Sequence, residues 1–369
     1  MDVHRLLQSI VDSEEPSVLA TIIDVNGHSY RKPGACMLFK LDGEQIGTIS
    51  PGCLEHDLLE RTERVWLSGE GQFEIAQYNM NPEEDAIWGE ALGCGGEIRV
   101  LLEPVTGLLR ELLIEAAAIV GGGRSVTLER RLVHSDITYR IRERVNDTAE
   151  PIRFTEIDNV PDRLFFTIRP RPRLVLFGAG KDAEAIYSIA RNVGFQLVIA
   201  DWRAGICTKE RFPEALIVIG TPAEIAAELA MSRNDYLIIC SHQLQQDKDL
   251  LGIALPLGLA YIGVMGSKKR IRMLFETFLM PSNVRAPIGL SIGADGPYEI
   301  AVSVVAELIA VRAGRTERAR RGARADGHIG YLFGGWPEQA NGTAQAGIGA
   351  DAGDDARQQG SSCATSMQR

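Results

Sequence analysis

From Arg173 onward the chain alternates short apolar runs with amphipathic ones, and this alternation limits the fold more than any other feature. "RLVLFGAG", "FQLVIAD", "EALIVIG", "YLIICSH" and "YIGVMGS" read as strands, with "PAEIAAELAMS", "DKDLLGIALPLG" and "SKKRIRMLFETFL" as helices between or after them. Apolar strands alternating with helices predict a parallel sheet covered on both faces. "GPYEIAVSVVAELIAVR" is a final apolar helix with Pro297 near its start.

The first of these strands runs into Gly178-Ala179-Gly180-Lys181-Asp182-Ala183, which fits G-x-G-x-x-G/A between a strand and a helix. Ala183, Ile186, Ala190 and Val193 then share one helical face, and Gly194 is placed to end it. Small residues let the backbone approach a phosphate, and a helix N-terminus offers free N–H groups with partial positive charge. Asp201 closes the next strand, where a carboxylate can accept from a ribose hydroxyl. Strand, fingerprint, helix, strand and acid together predict a Rossmann-like domain over residues 171–313. A tight turn with no ligand is the plain alternative.

The N-terminal part reads as a smaller α/β or α+β domain over residues 1–105. "SVLATIIDV" and "ACMLFKL" are strands flanking the loop "NGHSYRKPG", and "GEQIGTISPG" is a short strand entering a turn. "CLEHDLLERTERVWLSG" has helical spacing with Gly69 as its stop, and "GQFEIAQYN" and "EIRVLLEPV" are further strands. Residues 106–170 read as a connecting segment holding the helix "GLLRELLIEAAAIV" and the strand pair "SVTLERRLV" and "DITYRIRERV". After the last helix, residues 314–369 turn arginine-rich and then Gly-, Ala- and Gln-rich, the composition of a disordered tail.

A formal charge of −10 argues against general nucleic-acid binding, which uses a basic face. No stretch approaches the roughly 20 apolar residues of a membrane span. The acidic, amphipathic N-terminus is unlike a signal peptide, so a cytoplasmic location is expected. Six cysteines without CxxC pairs do not form a disulfide framework.

Two of them stand out. Cys53, in "SPGCLEHD", lies where a turn becomes a helix, a position that favours a thiolate. Glu55 would oppose that ionisation, while a charged His56 would favour it. Cys94, in "GCGG", is framed by Gly93, Gly95 and Gly96, which leave room for a bulky group and can turn N–H groups inward as an anion nest. Thiolates suit soft metals, but a closed zinc site needs four ligands at metal spacing. The bland reading makes both cysteines small buried turn residues. Cys240 sits in an apolar strand and reads as core; Cys36, Cys207 and Cys363 are given no role.

These motifs together resemble the XdhC/CoxI family of accessory proteins that mature molybdenum hydroxylases such as xanthine dehydrogenase. The resemblance covers nearly all of residues 1–313. It rests on "GHSYRKPGACM", "SPGCLEHDL", "GCGGEIRVLLEP", "LVLFGAGKDAEAI", "ADWRAGICTKERFP", "YIGVMGSKKR" and "APIGLSIGADGPYEIAVSVVAEL". It implies a carrier that binds the molybdenum cofactor (molybdopterin), protects it during exchange of an oxo ligand for sulfur, and helps insert it into the apo-enzyme. The implied partners are that hydroxylase and a cysteine desulfurase, with a homodimer left open. By carry-over, Cys53 and Cys94 become candidate molybdenum contacts, with Gly93, Gly95 and Gly96 shaping the second loop. Gly178, Ala179, Gly180 and Lys181, Asp201 and Arg203, and Gly266, Ser267 and Lys268 become candidates for a nucleotide or pterin phosphate.

Three departures bear on this. Lys181 stands where the family often has histidine, Pro51 replaces a glycine before Gly52 and Cys53, and "SHQLQQD" keeps only His242 and Asp247 of a usually acidic or histidine-rich segment. Two other functions stay open. One is an NAD(P)-dependent oxidoreductase using the fingerprint and Asp201; the other is a nucleotide-sensing regulator without turnover. No proton-transfer constellation accompanies the fingerprint, and no catalytic residue is assigned beyond Cys53 and Glu55 as candidates.

Overall fold

The computed structural model describes residues 2–80, 96–133, 136–144, 155–157 and 160–314. Gly93, Cys94 and Gly95, Cys363 and the segment 315–369 lie outside the described residues.

Helix α1 (Asp2–Asp12) precedes strands β1 (Ser17–Gly27), β2 (Cys36–Lys40) and β3 (Gln45–Gly47), helix α2 (Glu55–Ser68), and strands β4 (Glu74–Asn79) and β5 (Gly96–Pro104). The strands form an antiparallel sheet in the order β3-β2-β1-β5-β4. Side chains alternate across it. Val18, Ala20 and Ile22 pack with Leu54, Leu58 and Val65 at and along α2. Leu19 and Ile23 face the other way, with Leu6, Leu7 and Ile10 of α1.

Residues 106–170 join that second core. Helix α3 (Gly107–Gly121) brings Leu109, Leu113 and Ala116 into it. Strands β6 (Ser125–Val133), β7 (Asp136–Arg144), β8 (Thr155–Ile157) and β9 (Val160–Ile168) form an antiparallel sheet in the order β7-β6-β9-β8. Val126, Leu128, Ile137, Leu164 and Ile168 close onto the same cluster as α1 and β1. The segment expected to connect two domains therefore shares a core with the first.

The rest is a six-stranded parallel sheet. Its strands are β10 (Arg173–Phe177), β11 (Gln196–Asp201), β12 (Leu216–Ile219), β13 (Tyr236–Ile239), β14 (Tyr261–Val264) and β15 (Val284–Arg285), in the order β12-β11-β10-β13-β14-β15. Leu174 and Leu176 pack on the face covered by helices α4 (Lys181–Ala190) and α8 (Gly296–Arg312). Val175 and Phe177 pack on the other, covered by α5 (Pro222–Leu229), α6 (Leu244–Ala254) and α7 (Lys268–Leu274). This is the α/β, Rossmann-like sheet covered on both faces that the alternation predicts.

The sequence reading does not include strands β8 and β9, and two details of the parallel-sheet half also differ from it. Helix α7 ends at Leu274 because Phe275 and Phe278 leave the helix to pack against the sheet's core. The short β15 carries no periodic signal of its own. Strand order reverses between β10 and β13, so a crevice opens beyond their carboxyl ends, where sheets of this kind bind ligands. Among the described residues no helix is long and apolar enough to cross a membrane.

Candidate functional site

The crevice begins with a backbone crossing. Gly178 has φ +114°, and a Cβ there would lie 2.5 Å from the Ser241 Cα. The loops after β10 and β13 thus touch, and the Cys240 thiol donates to the Gly178 carbonyl at 3.5 Å. Gly180 is different. It precedes α4 with φ −78°, and a Cβ there meets nothing within 4 Å. The first glycine serves packing; the second leaves the approach to the helix N-terminus open.

Asp201 lies beneath this turn, fully buried. Its Oδ2 accepts from the Ala179 N–H at 2.7 Å and from Arg203 Nη2 at 2.8 Å. Its Oδ1 accepts from the Arg203 N–H and Nε, both at 2.9 Å. Burial alone would raise this carboxyl, but the Arg203 guanidinium and the two backbone donors outweigh it and hold it below the usual carboxylate range. Arg203 also stacks on Trp202, 4.6 Å from the ring centroid. A carboxylate has about four lone-pair sites, and four donors already engage this one.

The loop after β13 is tied down by a second buried acid. Asp247 accepts from the Ser241 hydroxyl through Oδ1 and from Arg270 Nη2 at 2.5 Å through Oδ2. Burial dominates here: Asp247 is raised, with Ser241 and Arg270 only partly opposing it. Gly266 has φ +148° and lies against the Arg270 side chain, and Ser267 caps α7 by accepting from the Arg270 N–H at 3.3 Å. At the mouth, His242 adopts φ +60° and places Nε2 2.8 Å from Asp182 Oδ2. Positive φ is uncommon for a residue with a side chain and concentrates at functional positions. Lys181 and Lys268 are exposed beside the turns.

Cys53 lies in the N-terminal half, just before α2, and no hydrogen bond or ion pair among the described residues ties it to the crevice. Glu55 organises its loop from below. Its carboxylate accepts from the Ile49 N–H at 3.1 Å, the Ser50 N–H at 2.7 Å and the Ser50 hydroxyl. Ser50 Oγ in turn accepts from the N–H groups of Gly52 at 3.2 Å and Leu54 at 3.0 Å. The Glu55 carboxylate is thus committed to the loop. Among the described cysteines, Cys53 alone is half-buried; Cys36, Cys207 and Cys240 are buried. Burial pushes the Cys36 and Cys207 thiols up to about 11. Cys240 rises further, through burial and then the nearby carboxylates of Asp247, Asp182 and Asp201.

Gly96 is buried in β5, and a Cβ there would lie 2.2 Å from the His28 carbonyl oxygen. Its missing side chain is explained by the close approach of β1's end. Sequence reasoning does not find Asp182, Ser241 or Arg270. Asp182 stands at a variable fingerprint position, and Ser241 and Arg270 stand inside motifs whose histidine and glycine are the louder signals. Among the described residues no three His, Cys, Asp or Glu side chains are grouped to hold a metal.

Comparison with known proteins follows this division of the chain. A model of the XdhC and CoxI family matches residues 10–79, and one of the XdhC Rossmann domain matches residues 174–308. A Bacillus subtilis protein named as a probable xanthine dehydrogenase subunit is 33% identical over 322 residues, 84% of this chain and 97% of that protein. The molybdenum cofactor insertion chaperone PaoD of Escherichia coli is 25% identical over 329 residues, 84% of this chain and 89% of its own. A crystal structure of a Bacillus halodurans protein described as a xanthine dehydrogenase superposes with TM-score 0.76 at 36% identity, over 85% of this chain and 97% of that one. With a relative this similar over nearly its whole length, and family matches in both halves, the chain belongs to the XdhC and CoxI family.

Proposed function

We propose that this protein carries the molybdenum cofactor and delivers it to a xanthine dehydrogenase-type hydroxylase, acting as an accessory protein without turnover of its own. The observation that carries the proposal is the division of labour among cysteines. Three of the four described thiols are buried, while Cys53 is held half-exposed on a loop pinned by Glu55 and Ser50. The cargo is an anionic pterin phosphate whose metal is bound through soft sulfur. An accessible thiol suits its metal end, and the open approach at Gly180 to the N-terminus of α4 suits its phosphate end. The relatives named for xanthine dehydrogenase and for cofactor insertion point the same way. Cys94 enters as a second thiol through the family resemblance, as do a cysteine desulfurase supplying sulfur and a homodimer.

The nicotinamide reading meets an obstacle at Asp201. To grip a ribose diol its carboxylate must release Arg203, which supplies three of its four donors. A nucleotide at the crevice therefore requires the Arg203 side chain to swing away.

The test is to purify the protein from cells that make the cofactor, then measure bound molybdenum and the fluorescent oxidised pterin. Wild type is expected to retain both, and Cys53→Ala to lose most of each while folding normally. Absence of both from wild type would refute the carrier reading, and retention at the wild-type level by both Cys53→Ala and Cys94→Ala would refute the assignment of the thiols. A thermal-shift titration with NAD and NADP separates the alternative, because a ligand of the folded state raises stability.

A further inference from the structure

The outer face of the four-stranded sheet carries arginines around one sunken carboxylate. On β6, Val126, Leu128, Arg130 and Leu132 turn into the core, which leaves Thr127, Glu129 and Arg131 on the opposite face. Across the ladder Glu129 stands opposite Arg140, Thr127 opposite Arg142, and Arg131 opposite both Thr138 and Arg163. Glu129, Arg131, Thr138, Arg140, Arg142 and Arg163 line a cavity of about 110 Å³. Glu129, only 7% exposed, lies 3.1 Å from Arg142 Nη2 and 3.6 Å from Arg163 Nη1. The guanidinium groups of Arg131 and Arg140 have no ion-pair partner among the described residues.

Among the described residues, four guanidinium groups thus face a single carboxylate, on a chain whose formal charge is −10. Like charges directly opposite on a sheet are destabilising, and Arg131 and Arg163 are such a pair. Guanidinium forks match oxyanions that offer several acceptor atoms. The cavity has room for about four waters, which suits one tetrahedral oxyanion.

We propose that this cavity binds a phosphate-class oxyanion, gripped by Arg131 and Arg140, with Glu129 as the positioning residue that spreads Arg142 and Arg163 around it. The site lies on a different sheet from the crevice and does not depend on the carrier reading. Its ligand is either free phosphate or the terminal phosphate of a larger molecule, and the recognition chemistry is the same.

The full chain is titrated with sodium phosphate, against sodium chloride at equal ionic strength, by thermal shift and calorimetry. Phenyl phosphate is the monoester arm. Phosphate is expected to raise Tm beyond chloride, and Arg131→Gln/Arg140→Gln to weaken the apparent affinity about tenfold or more. Without phosphate the double variant should melt at the wild-type temperature or above it, because like-charge repulsion is relieved. Arg131→Lys/Arg140→Lys keeps the charge but loses the forks, and its affinity should fall between the two. Phenyl phosphate binding as tightly as phosphate supports the site with an esterified ligand; binding of free phosphate alone supports it with the inorganic ion. No response beyond chloride, or the same response in wild type and the glutamine double variant, overturns the proposal.

Discussion

Asp201 and Asp247 are both buried acids at the crevice, and their surroundings drive them in opposite directions. Asp201 is held below the usual carboxylate range, so the stability it contributes is present above its unfolded value of about 3.9 and is lost as pH falls through its lower folded value. Asp201→Asn should lose about 2–3 kcal/mol at pH 7, less than a wholly buried pair would because Arg203 is partly exposed. Urea unfolding at pH 7 and stepwise below pH 4 checks this; the gap between wild type and variant should narrow in acid. Asp247 is raised, so keeping it ionised in the fold costs stability at neutral pH, a cost removed as pH falls through its raised folded value. Asp247→Asn should therefore cost less than Asp201→Asn in the same assay. The two fingerprint glycines make a second contrast. Gly178→Ala drives a Cβ into the Ser241 backbone at a positive φ and should destabilise by about 3 kcal/mol or more. Gly180→Ala meets open space and should stay within about 0.5 kcal/mol of wild type while weakening any phosphate ligand at α4. Equal stability of the two variants would refute this division of roles.

The loop from Ile49 to Glu55 works as one element, because a single carboxylate and a single hydroxyl take four of its backbone N–H groups. Cys53 should accordingly react with a thiol reagent in the native protein, while Cys36, Cys207 and Cys240 react only after denaturation. The Cys53→Ala variant should titrate one thiol fewer under native conditions; an unchanged count would show that the loop shields it. The Rossmann half is legible in the sequence because its elements are periodic and its turns carry glycine: Gly178, Gly194 and Gly266 stand where the backbone takes a positive φ. The roles of side chains are less legible. Glu55 reads as a possible opponent of the thiolate, yet it faces down into the loop, and no spacing rule reports which way a carboxylate turns. Asp201 reads as a ribose acceptor, yet Arg203, two residues away, occupies it. Gly96 reads as clearance for a ligand, whereas the close approach of the His28 backbone, just past the end of β1, accounts for its missing side chain. Each revision comes from a contact between residues that local pattern cannot pair.

At the scale of the molecule, the N-terminal half is sealed by a contact between its two sheets. Glu103 on β5 and Arg130 on β6 are both fully buried, with Arg130 Nε 2.8 and 2.9 Å from the two carboxylate oxygens. Removing one partner strands the other charge, so Arg130→Met should cost about 3–5 kcal/mol. Replacing both by apolar residues of similar volume should be close to neutral. The same seal sets the smallest piece that folds. A fragment of residues 1–105 lacks Leu109, Leu113, Val126, Leu128 and Leu164, which close the core around Leu6, Leu19 and Leu101, and it leaves Glu103 without its guanidinium. Residues 1–170 contain both sheets and both ion-pair partners, and residues 171–314 contain clusters on both faces of the parallel sheet. Urea unfolding followed by circular dichroism should give a cooperative transition for 1–170 and for 171–314, and none for 1–105. A cooperative transition in 1–105 would mean that the first sheet and α2 hold a self-sufficient core, with β6 to β9 an appendage to it.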